Sequence, residues 1–71
     1  MNVNRLRGIM AEQRITQRML ARGIGKAENT LANKMTGKTP FNADEIIAIC
    51  DYLHIEDPAE KSLIFLSEPS Q

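Results

Sequence analysis

The chain has 71 residues, nine basic against nine acidic, and one cysteine, so an intrachain disulfide is excluded and a single small domain must hold together by packing or association. Cys50 and His54 are the only soft ligands, short of the four that a structural zinc site takes, and no metal or other cofactor is expected. No charged-then-apolar leader follows Met1 and no apolar run nears the length of a membrane span, so the expected location is cytoplasmic with no membrane partner.

In chain order, Asn2 or Asn4 can cap a first helix running to about Arg14, with Leu6, Ile9 and Met10 on one stripe. Ile15 packs at the corner, and Thr16 is a good cap for a second helix, "QRMLARG", whose Leu20, Ala21 and Ile24 face inward. Gly25 then supplies the left-handed residue that ends a helix, whereas Gly23 reads as a small residue tolerated near the helix end. A third helix, about residues 27–36, buries Leu31 and Met35; Gly37 closes it, and the Pro of "KTP" forbids continuation. In "FNADE", Asn42 with Glu45 three residues on predicts a capping box for a fourth helix carrying Ile46, Ile49, Cys50 and Leu53. In "DPAE", Asp57 caps a fifth helix over residues 58–67 with Pro58 at its first position. One domain over residues 1–67 is expected, with 68–71 as a flexible tail. A sharp turn at Gly25 between two short helices is a helix-turn-helix.

The zero net charge conceals an asymmetry. Residues 1–40 hold eight basic side chains against Glu12 and Glu28, whereas residues 41–71 hold seven acidic ones against Lys61 alone. Such a split points to a basic working face and an acidic remainder.

The run "TQRMLARGIGKAENTLANKMTGK", with Gln17, Leu20, Ala21, Ile24, Gly25, Leu31 and Gly37 in step, resembles the phage repressor and Cro superfamily (XRE-like). It is most similar there to small Cro-like regulators of phages from Gram-positive bacteria, a likeness that "NKMTGKTPFNADE" strengthens. The resemblance covers about residues 6–55 and implies an all-α, five-helix repressor-like DNA-binding domain, with the helix-turn-helix formed by helices two and three. Four features depart from the pattern. Lys26 stands where a small apolar residue usually follows the turn glycine, Ala27 replaces the Ser or Thr cap, and Thr36 replaces the Asn before Gly37. Met10 and Met35 occupy positions where relatives often pair an Arg with a Glu.

At about 100° per residue, Leu31 and Met35 share the core side of the third helix, and Asn29 and Asn33 lie near the opposite side with Thr36 beside them. Asn can bond adenine N6 and N7 in the major groove, and two Asn are poor choices for a merely solvated helix face. Glu28 lies at the helix start, where a carboxylate can accept from cytosine N4 but also repels phosphate; an ordinary polar exterior is nearly as good an account of it. The expected base readers are therefore Glu28, Asn29 and Asn33. By the family pattern, Gln17, Lys38 and Thr39 grip the phosphate backbone, with Arg18 and Arg14 as further candidates. His54 reads as a helix-end cation and Cys50 as a small core residue. No nucleophile–base set, carboxylate pair or glycine-rich phosphate loop is present, which argues against an enzyme.

In "LIFL", Leu63 and Leu66 are expected to complete the core against Ile46, Ile49 or Leu53, leaving Ile64 and Phe65 outside as an interface for a second copy or a partner protein. The alternative has Phe65 folding back over the first helix. Two functions follow. The leading one is a Cro-like repressor of a phage or prophage switch, bound as a dimer to a two-fold operator in double-stranded DNA. Its rival is an anti-repressor or modulator that keeps the fold but docks onto a partner repressor; an antitoxin is a third use of the same fold.

Overall fold

The computed structural model describes residues 1–66. They form five helices and no strand: α1 (Val3–Glu12), α2 (Gln17–Gly23), α3 (Glu28–Met35), α4 (Ala43–Tyr52) and α5 (Pro58–Phe65). The expected extension of the fifth helix to residue 67 and the expected tail over 68–71 lie outside the described residues.

Side-chain caps set most of the helix starts. The Asn2 side chain accepts from the Arg5 N–H, which selects it over Asn4, and Thr16 accepts from the Met19 N–H. Asn42 and Glu45 make the full reciprocal capping box, at 2.8 and 2.9 Å. Asp57 accepts from the Ala59 N–H, and Pro58 sits where its missing N–H costs nothing. Only α3, preceded by Ala27, starts without a side-chain cap.

The four helix ends before α5 share one closure. A left-handed residue lets the next N–H reach back to a carbonyl of the last turn: Ile15 to Met10, Lys26 to Ala21, Lys38 to Asn33 and Ile55 to Cys50, all at 2.8–2.9 Å. Gly25 (φ 74°) and Gly37 (φ 86°) fill two of these places as expected, but Arg14 (φ 58°) and His54 (φ 57°) fill the other two. At those two ends the following residue is isoleucine, and Ile15 and Ile55 pack into or against the core, holding the backbone where glycine would otherwise be wanted. A Cβ at Gly25 meets nothing within 4 Å, so only the backbone conformation opposes one. Gly25→Val is expected to lose roughly 1–3 kcal/mol to that strain, read as a lower thermal midpoint; a midpoint equal to wild type would remove the need for glycine at the turn.

Every helix contributes to the core, from Leu6, Ile9 and Met10 through Leu20, Ala21, Leu31, Met35, Ile49 and Cys50 to Ile64, with Leu53 and Ile55 from the segment after α4. Met10 and Met35 are both buried, so apolar packing stands where relatives often place an ion pair. Ile24 and Ile46, expected inside, are half-buried at its edge.

The helix α5 is rotated from its expected setting. Ile64 is fully buried, while Leu63 is about half exposed and Leu66 is 72% exposed. The cause is the anchoring of α5 to α1. Arg5 donates from Nε to Glu60 Oε2 at 3.0 Å and from Nη2 to Glu60 Oε1, and the Asn2 N–H donates to the Ile64 carbonyl at 2.7 Å. Glu60 and Ile64, four residues apart, thus share the face turned to α1. Phe65 is half-buried, edge-on to Phe41 with ring centroids 6.3 Å apart, and lines a groove with Met1 and Val3 of the N-terminal segment. Ile64 is therefore unavailable as an interface residue and Phe65 only partly available.

Candidate nucleic-acid interface

The helices α2 and α3 pack on each other across the Gly25 turn, and α2 also packs on α4. Gly23 makes room for the Tyr52 ring at the end of α4, a role that the sequence reading missed. A Cβ there would stand 2.4 Å from the Tyr52 ring, so the absence of a side chain lets that ring pack over the end of α2. The signal available was a glycine inside a helix, where its backbone freedom is a cost that packing has to offset.

Buried Leu31 and Met35 turn the opposite side of α3 outward, and Asn29 and Asn33 are exposed there, while Glu28 is exposed at the start of the helix. Neither asparagine side chain is engaged in a hydrogen bond with the described chain, so both present donors and acceptors outward. Thr30, three residues before Asn33, is exposed on the same side and was not singled out from the sequence. Thr36 differs: its hydroxyl donates to the Ala32 carbonyl at 3.0 Å and the Asn33 carbonyl at 3.2 Å, which ties it to its own helix.

The expected phosphate contacts fall at the two ends of this unit. Half-buried Gln17 and exposed Arg18 open α2, and exposed Lys38 and Thr39 follow Gly37 after α3. Arg18 Nε lies 3.8 Å from Glu28 Oε1, bringing the start of α2 to the start of α3. Both side chains are largely solvated, so the pair contributes about 0–1 kcal/mol and yields readily to a competing phosphate.

The charge asymmetry of the sequence is partly cancelled in the fold. Arg5 is paired with Glu60, and Lys26 and Lys34 both turn to Glu45, at 3.5 and 2.9 Å. Arg7, Arg14, Arg22 and Lys38 stay exposed and outside any ion pair among the described residues. Lys26, an outlier against the family pattern, thus has a partner that the pattern did not supply. Burial opposes ionisation of Glu45, but the Asn42 N–H, the Lys34 hydrogen bond and the charges of Lys34 and Lys26 outweigh it and hold the carboxyl below its ordinary 4.5. The Arg5 hydrogen bond holds Glu60 low against a smaller opposing desolvation. A carboxyl depressed in the folded state stabilises above its unfolded pKa, and that contribution vanishes as pH falls through the folded value. The thermal midpoint is therefore expected to be insensitive to these groups above about pH 5 and to fall below pH 4.5, with a smaller fall in Glu45→Gln. An equal acid loss in both proteins would exclude Glu45 as a source.

Residues 5–60 match the family model of the Cro/C1-type HTH DNA-binding domain. The chain belongs to that family, which identifies α2 and α3 as the helix-turn-helix of a DNA-binding regulator. No curated protein and no solved structure matches the chain significantly. Among the described residues no helix is long and apolar enough to cross a membrane.

Proposed function

We propose that this protein is a Cro-like transcriptional repressor of a phage or prophage switch, reading the major groove with the exposed side of α3. The observation that carries the reading is the outward face of Asn29 and Asn33, whose side chains make no hydrogen bond with the described residues, flanked by Gln17 and Arg18 at one end and Lys38 and Thr39 at the other. In this arrangement Asn29 and Asn33 take base edges, Glu28 accepts from a cytosine at the groove entrance, and the flanking residues fix register on the phosphates. The uncapped N–H groups at the start of α3 add a positive end facing the duplex. Repression follows by occlusion of a promoter.

A single α3 reads few bases, so the working form is a dimer on a two-fold site. With Ile64 buried, the outer face of α5 at Leu63 and Leu66 is the joining surface that remains on this helix. The same exposed leucines support the second reading, a modulator that docks onto a partner repressor.

Fluorescence anisotropy with short duplexes across a salt series separates the two. A DNA reader loses affinity as salt rises, with a slope of about 0.9 per phosphate neutralised, for non-specific duplex as well. A protein that ignores every duplex at the lowest salt is the modulator. Leu66→Ser is expected to stay folded and to shift sedimentation from dimer to monomer; a wild type that is monomeric at high concentration overturns the dimer.

A further inference from the structure

The acidic half of the chain sends one side chain into the helix-turn-helix. Glu45 is 3% exposed, and its carboxylate is fixed in the α4 capping box by the Asn42 N–H. From there it meets Lys26 in the turn before α3 and Lys34 in the last full turn of α3. Lys34 also donates to the Pro40 carbonyl at 3.0 Å and is 14% exposed at its side chain. Lys34 is therefore committed inside the domain, and Lys26, 40% exposed at its side chain, is paired at the surface with the same carboxylate. A lysine carries a compact charge on a four-carbon stem, long enough to bring its ammonium to the surface once its partner is neutral.

We infer that Glu45 is a specificity-determining residue acting through Lys26 and Lys34: it withholds both ammonium groups from DNA phosphate and keeps sequence-independent binding weak. This inference rests on the DNA-binding reading above. Phosphate contacts raise affinity for every sequence alike, whereas base contacts discriminate, so holding back two cations favours discrimination over grip. The cost of burying the carboxylate is offset by the capping-box hydrogen bond and by the two ammonium groups facing it.

The test compares wild type, Glu45→Gln and Asp51→Asn for binding to a non-specific duplex from low to high salt, with circular dichroism confirming the fold of each. Glutamine can still accept the Asn42 N–H but cannot hold the ammonium groups, so Glu45→Gln should steepen the salt dependence by about one to two units at roughly 0.9 per lysine released. Asp51→Asn changes net charge equally at an exposed site on the same helix and should not steepen it. Replacing Lys26 and Lys34 by Met in the Glu45→Gln background should restore the wild-type slope. The inference is overturned if Glu45→Gln keeps the wild-type slope or if Asp51→Asn matches its steepening. If Glu45→Gln does not fold, Lys26→Met alone decides: an unchanged slope supports a withheld lysine, and a slope lower by about one unit overturns it. A wild type that binds no duplex fails the DNA reading itself and takes this inference with it.

Discussion

Leu31→Ala is expected to remove a large fraction of the stability of the fold while leaving the reading surface chemically intact. Leu31 is fully buried on α3, beneath the exposed side that carries Asn29 and Asn33. Deleting its isobutyl group costs about 2–5 kcal/mol through lost burial and the cavity left behind. A domain of this size holds roughly 4–11 kcal/mol in total, so the loss is a large fraction of the whole. The thermal midpoint should drop by at least about 8 °C, given some 4–8 °C per kcal/mol for small domains. Duplex binding should fail near physiological temperature for specific and non-specific sequences together. It should return in the cold, where circular dichroism shows the helices restored, because Leu31 faces away from DNA. A cold, folded variant with changed sequence preference would show that Leu31 shapes the reading surface directly.

Asn33→Ala should do the reverse. Alanine is the better helix former, so the melt should be unchanged or slightly higher. One bidentate contact to adenine discriminates by about 1–3 kcal/mol, or roughly 5- to 150-fold at one operator position. Binding-site selection with the variant should flatten that position and keep the rest of the preferred sequence. Lys38→Ala makes the contrast: it should weaken every sequence alike and lower the salt slope by about one unit. A wild-type preference retained by Asn33→Ala at unchanged affinity would make Asn33 an ordinary surface residue.

Local signals read well from the sequence. Caps at Thr16, Asn42 and Asp57, glycines at positions 25 and 37, and helical spacing of apolar residues set the helices within one or two residues at most ends. What escaped were decisions made between helices. The Arg5–Glu60 contact joins residues 55 apart and rotates α5, exchanging Ile64 for Leu63 and Leu66 in the core; nothing local to "LIFL" carries that information. Gly23 looked incidental because its reason, the Tyr52 ring, lies on α4. Arg14 and His54 show that a helix can close without glycine when the next side chain is anchored in or against the core. The candidate reading face was legible because a buried stripe at Leu31 and Met35 dictates its opposite side. Its electrostatics were not, because charge counting along the chain cannot see Glu45 cross from the acidic half to pair with Lys26 and Lys34 of the basic one.

The central claim is that this chain meets duplex DNA through α3 and the ends that flank it. The most direct measurement is a two-dimensional amide nuclear magnetic resonance titration of the isotopically labelled protein with a short duplex at low salt. The account predicts shift changes concentrated at residues 16–18 and 28–39, reversed as salt is raised, with α5 little affected. Changes confined to α5, or none at any duplex concentration, would contradict it.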